Sequence, residues 1–374
     1  MAAGWKKGFE IELMAPRGSS RARLAETIRA RLGGTIRQFF HPQSEISKVP
    51  GKPVFDNLTA GFRVFDAAGS PVVSLVDDIT LQDGLNKTAA PQPGWFRIVS
   101  DDGRILQLAI QQCDPLAPLE TVLDPIARLF GTEVDHHTSG MVKVADARKI
   151  SVAIAAPLPG ERERPCEVIT APLAAGYDDS LRLLLRDARS EGFALPREGA
   201  THIHFDAAPL KSANAVANIA ALFSRHGTAL KGLVGTNPNC IRLGPWPAHF
   251  AEIATSEEFL ALDWPEARAV LEECELKKYC DYNLVNMILG LSSKDTFEVR
   301  VLPSFLDAEP IILAAELFEA ILTWCAEARA GTTPVPETLP LLLAAIPLGG
   351  ASVAHWQGEL QRAPLPATGG GRRK

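Results

Sequence analysis

Gly8-Phe9-Glu10-Ile11-Glu12-Leu13 (GFEIEL) sets two glutamates two residues apart between three apolar side chains. On a β-strand, side chains two apart share a face. Glu10 and Glu12 then share one face, and Phe9, Ile11 and Leu13 share the other. The same alternation returns further along. In residues 201–207 (THIHFDA), His202, His204 and Asp206 lie opposite Ile203 and Phe205. In residues 296–303 (TFEVRVLP), Glu298 and Arg300 lie opposite Phe297, Val299 and Val301. Residues 166–173 (CEVITAPL) add Glu167 among apolar neighbours.

One such pair is ordinary for an antiparallel sheet, which keeps one dry face and one wet face. Four strands together say more. If they are neighbours, several carboxylates crowd against two imidazoles and a guanidinium. Crowded carboxylates repel unless cations intervene. Hard divalent cations take oxygen ligands and bridge carboxylates to nucleotide phosphates. A magnesium ion would thus explain why Glu10 and Glu12 stand side by side.

The 374 residues, with 46% hydrophobic and 22% charged side chains, describe a soluble globular protein of one large or two ordinary domains. A net charge of −6 gives no electrostatic reason to bind nucleic acid. The opening MAAGWKKGFEIE reaches charged residues too early for a signal sequence. The longest apolar runs fall short of the roughly 20 residues that span a bilayer. Cys113, Cys166, Cys240, Cys274, Cys280 and Cys325 form no CxxC, and read as reduced thiols of a cytoplasmic protein. His136 and His137 read as solvated surface.

Helices are expected over 19–33, 115–130, 178–192, 212–227, 265–291 with a break near 277–281, and 307–331. Residues 34–112 read as β-rich, with hairpin turns at Asp66–Gly69 and Asp101–Gly103. The charged GERERP (residues 160–165) reads as a hairpin loop between two strands. Parallel sheets carry near-continuous apolar strands, and these strands alternate. The fold class expected is α+β, on a largely antiparallel sheet with flanking helices. Residues 331–374 form a Pro/Gly-rich C-terminal extension with room for one helix, ending in a disordered ATGGGRRK. No GxxxxGK[ST], GxGxxG or GxSxG is present.

The order of E-x-E, E-V-x-x-x-P-L, H-x-H and E-x-R before a long helix resembles the amidoligase family, in the stretches GFEIEL, CEVITAPL, GATHIHFDA and TFEVRVLPSFLDAE. KKYCDYNLVN and GWFRIVSDDGRI add to the likeness, which runs from about residue 8 to 330. That family is similar to glutamine synthetase and glutamate–cysteine ligase, the carboxylate–amine ligase superfamily. The resemblance implies a curved, glutamine synthetase-like sheet over residues 1–330. It implies ATP and Mg²⁺ as cofactors and an amide or peptide bond made through an acyl phosphate, from small-molecule or peptide carboxylate and amine substrates. By position, Glu10, Glu12, Glu167 and Glu298 would bind metal, and His202 and His204 would reach metal and phosphate. Glu298 and Arg300 would be catalytic, with Arg300 on the phosphoryl group or the activated carboxylate. Arg242 and Asn283 or Asn286 would contact substrate or nucleotide. Asp77, Asp78 and Glu309 are candidates for the base that takes the amine's proton. A second glutamate close after EVITAPL, as in glutamine synthetase, is absent. Two rival readings remain: a phosphotransferase acting on guanidines, and a non-catalytic nucleotide or peptide binder.

Overall fold

The computed structural model describes residues 4–46, 54–240, 242–290 and 294–362. The terminal ATGGGRRK lies outside them. The strands are β1 (Lys7–Met14), β2 (Thr35–Ile46), β3 (Val54–Phe65), β4 (Pro71–Val76), β5 (Phe96–Val99), β6 (Asp135–His136), β7 (Val142–Ala145), β8 (Ser151–Pro157), β9 (Pro165–Thr170), β10 (Ala200–Asp206), β11 (Tyr282–Asn283) and β12 (Thr296–Pro303). The chain divides into two compact units. One comprises residues 9–172 and 179–199, and the other residues 1–8, 173–178 and 200–374.

The first unit is a large open antiparallel sheet in the order β1-β9-β4-β3-β5-β8-β7-β6, with β2 on the other flank of β3. β3 pairs with β4 through residues 62–65 and with β5 through residues 57–59. At the bend between them Gly61 lies under the ring of Phe39, where a Cβ would come within 2.7 Å of Cζ. Helix Arg21–Leu32 buries Leu24, Ala25 and Ile28 beneath β3 and β4. It stops at Gly33, whose φ of 60° is left-handed. Helices Gly103–Gln112 and Asp124–Leu129 close a second core, with Leu58, Ile98, Leu106, Ile126 and Val144.

Three expectations fail in this unit. Asp101–Gly103 is not a hairpin turn. Asp102 accepts from the Arg104 N–H at 2.9 Å and starts helix Gly103–Gln112, whose Leu106 and Ala109 face the core. Much of the helix expected over 115–130 is turns, and only Asp124–Leu129 is regular. Nor is GERERP a hairpin loop. β8 pairs with β5 and β7, and β9 with β1 and β4. Arg162, Glu163 and Arg164 are buried. The two arginines supply donors to backbone carbonyls there: Arg162 donates to Leu81 and Asp78 at 2.7 and 2.8 Å, and Arg164 to Ala15 and Gly84 at 2.9 and 3.1 Å. Thus the irregular chain from Asp77 to Trp95 is held without secondary structure of its own.

The second unit sets β11, β12 and β10 side by side, antiparallel, against helices Ala213–Leu233 and Ala308–Glu327. Phe223 packs at 4.2 Å from Tyr282 and 5.7 Å from Phe297, centroid to centroid. Ser212 caps the first helix, accepting from Ala215 N–H at 3.1 Å. From residue 331 the chain adds two helices, Leu339–Ala345 and Gly350–Arg362, where one was expected. The proline-rich stretch before them is tied down by Arg225 to the Val335 carbonyl at 2.9 Å and by His226 Nε2 to the Pro336 carbonyl at 2.7 Å. Among the described residues, no helix is long and apolar enough to cross a membrane.

Burial lowers the pKa of His226, outweighing its bond to Pro336. The unfolded chain therefore binds this proton more readily than the folded one. Stability should fall as pH drops through about 6.5 toward the lower folded value, by at most about 1.4 kcal/mol per pH unit. Urea unfolding at pH 7.5 and 5.5 should show a smaller acid-induced loss in His226→Gln than in the parent protein.

Candidate functional site

In the first unit, β1 and β9 set Glu12 directly opposite Glu167, with Glu10 opposite Ile169. Carboxylate oxygens of Glu10 and Glu167 lie within 4.8 Å of one another. Glu12 is buried and Glu10 half-buried. On the other face Phe9, Ile11 and Leu13 are fully in the core. The strand expected to be half-wet is therefore covered on both sides. At about 5 Å and an effective dielectric near 20, two like charges repel by roughly 3 kcal/mol. Three carboxylates on two adjacent strands make a donor set of the kind that hard divalent cations take.

In the second unit the alternation of β10 and β12 sets their polar side chains on one face. His204 pairs with Glu298 in register, and Asn283 of β11 lies on the other side of Glu298. Glu298 is 4% exposed. Arg300 Nη1 donates to its Oε1 at 2.6 Å, and Asn283 Nδ2 donates to its Oε2 at 2.7 Å. His202 Nδ1 stands 3.4 Å and His204 Nε2 3.8 Å from the same Oε1. His204 Nδ1 meets Thr296 Oγ1 at 3.1 Å, which turns Nε2 toward Glu298. Within each unit the expected residues come together: Glu10, Glu12 and Glu167 in one, His202, His204, Glu298 and Arg300 in the other.

Of the two asparagines, Asn283 is the one that meets Glu298; Asn286 lies half-buried on the short helix Val285–Leu289. Arg242 stacks its Cζ 5.1 Å from the centroid of Tyr279. Thr296 was missed, although it stands two residues before Glu298 and so on its face. The exposed Asp135–His136 bridge and His137 are surface, as expected. Burial pushes the Cys280 thiol up to about 12 and Cys113 up to about 11, so neither is a nucleophile near neutral pH.

Asp77 is no proton acceptor for an amine. It is buried, bonded by Arg162 Nη2 and 4.0 Å from Arg21 Nη1. Arg21 is fully buried, lies 4.4 Å over the Trp95 ring, and donates to the carbonyls of Ala60 at 3.1 Å and Arg162 at 2.7 Å. Asp78 Oδ1 accepts from the N–H and hydroxyl of Thr80, both at 2.8 Å, as a turn residue. Glu309 is exposed in the first turn of its helix.

Residues 3–322 match the family described as "Putative amidoligase enzyme". The chain belongs to this amidoligase family. The description is of a ligase-type enzyme. No curated protein matches the chain. The matched span takes in the carboxylates of β1 and β9, the imidazoles of β10 and the Glu298–Arg300 pair.

Removing Asp77 would strand two guanidinium groups beneath the sheet. Asp77→Ala should cost about 3–5 kcal/mol in urea unfolding, the scale for breaking a buried ion pair. Asp78→Ala should cost about 1 kcal/mol, the scale for a lost cap.

Proposed function

We propose that this amidoligase is an ATP-dependent carboxylate–amine ligase with a glutamine synthetase-like fold, forming an amide or peptide bond through an acyl phosphate. One observation carries the reading: Glu298, buried, is met by Arg300, Asn283 and the two imidazoles. The carboxylate patch of Glu10, Glu12 and Glu167 supports it from the other unit.

A carboxylate in water is too poor an electrophile to meet an amine. The magnesium nucleotide, when bound, supplies the phosphoryl group that activates it. Glu10, Glu12, Glu167 and Glu298 would hold the cation. The remaining task of the chain is positioning and charge balance. Arg300 presents a planar fork suited to an oxyanion. Its Nη1 is anchored on Glu298, and Asn283 keeps that carboxylate in place. His202 and His204 offer ring nitrogens to phosphate oxygens. Burial of these groups excludes water, which would otherwise hydrolyse an activated acid. The partners are a small-molecule or peptide acid and an amine.

ADP release measured with mixtures of candidate acids and amines tests the reading. A ligase turns over only with both, a phosphotransferase needs one acceptor, and a binder turns over nothing. Glu10→Gln and Arg300→Ala should each lower ADP release by at least about 100-fold with far-UV circular dichroism unchanged. Turnover that survives either change removes these residues from the reaction.

A further inference from the structure

Between helix Ala213–Leu233 and β11 the chain makes three short helices, Ala248–Ala254, Glu257–Leu260 and Trp264–Glu272. Their inner sides are core. Phe250, Ala254, Phe259, Ala267 and Leu271 are buried, and the first two helices pack on Ala213–Leu233. Caps fix the turns between them. Ser256 accepts from the Phe259 N–H at 3.1 Å. Asp263 and Glu266 close a capping box, in which the Glu266 N–H donates to Asp263 at 3.0 Å. His249 Nε2 donates to the Cys274 carbonyl at 3.2 Å and joins the start of the stretch to its end.

The outer side stays open. A groove of about 520 Å³ is lined by Ile253, Phe259, Leu262 and Val270, together with Ser256, Glu252 and Glu258. Ile253, Leu262 and Val270 are half-buried, so a visitor can reach them, and both glutamates are exposed. Residues 248–275 carry eight acids and one arginine, in a chain whose whole net charge is −6. Among the described residues, Glu272 is the one of these acids that pairs with a cation, Arg268 at 2.9 Å. The groove is thus apolar within and negative around.

That charge selects the occupant. Membrane surfaces and nucleic acids are anionic and would be repelled. A second copy docked through the same face would set these acids against each other. The groove is bordered by helices, whose backbone groups are already paired, so recognition falls to side chains, as when an amphipathic helix lies in a groove. We propose that this groove docks a basic amphipathic helix of a partner protein. Its apolar residues would meet Ile253, Leu262 and Val270, and its lysines or arginines would meet Glu252 and Glu258. The docking site goes beyond the ligase reading and does not depend on it.

The test is fluorescence anisotropy with the full chain at low ionic strength. The probes are a labelled leucine–lysine amphipathic peptide of about four helical turns and the same residues shuffled to spread leucine around the helix. The ordered peptide should bind at least about tenfold more tightly than the shuffled one. The exposed pair Glu252→Lys and Glu258→Lys should together weaken it about tenfold or more. Leu262→Ser should weaken it about fivefold. Glu120→Lys with Glu133→Lys, the same charge change at exposed positions of the other unit, should stay within about twofold of the parent. Equal losses in the two charge-reversed proteins would report net charge only and overturn the site, as would equal binding of the two peptides. A parent chain that does not bind the ordered peptide also overturns it, and uptake of the apolar dye ANS in its place would mark a small-molecule pocket. A dimer seen by sedimentation velocity that Leu262→Ser dissolves would make the occupant a second copy and overturn the partner assignment.

Discussion

A carboxylate withdrawn from water has to be met by donors, and Glu298 imposes that condition on the unit around it. Its two oxygens are shared among Arg300 on its own strand, Asn283 on the next, and the imidazoles of β10. Each partner needs a particular register. His204 must stand opposite Glu298, and Asn283 must pair with it from the other side. One residue of slip would turn every one of these groups to the helical face. There Phe223, Tyr282 and Phe297 are packed, with no room for charge. The apolar cluster and the polar cluster thus enforce the same register from opposite faces.

This double constraint is why β1, β10 and β12 were legible. Period-two patterning records both faces at once, and the patterned residues are the ones that meet. Helix ends were legible for a similar local reason: Gly33 and Ser212 act within one turn of their own position. GERERP was misread because a short charged segment between two strands ordinarily joins them as a hairpin. Its arginines are buried by carbonyls tens of residues away in sequence, at Ala15, Asp78, Leu81 and Gly84. No local pattern announces such acceptors. Asp101–Gly103 shows the converse case. The same Asp-Gly signal serves a turn or a helix cap, and the apolar spacing of Leu106 and Ala109 decides between them.

Within the site, the residues readable from sequence were those on regular strands. Asn283 and Asn286 could not be separated beforehand, since the choice depends on where a two-residue strand begins. Tyr282–Asn283 is too short to leave a periodic trace. Thr296 lay in plain view on the face of Glu298, but a hydroxyl carries no charge signal, and its role in turning His204 exists only once β10 and β12 are paired.

The two acidic centres of the first unit show how burial alone fails to separate structure from chemistry. Asp77 and Glu12 are both buried on or beside the same sheet. Asp77 faces Arg162 and Arg21, two cations built into the chain for one acid, with Arg21 Nε and Nη1 and Arg162 Nη1 and Nη2 also donating to backbone carbonyls. Such a group has no capacity left for a substrate. Glu12 instead stands opposite Glu167, which is itself within 4.8 Å of Glu10. Packing acids together costs folding free energy, and it is compensated most directly by a multivalent cation that binds only the folded state. Depth alone therefore does not separate the two: Asp77 is placed by the arginines it meets, whereas Glu10, Glu12 and Glu167 gather three acids on two paired strands.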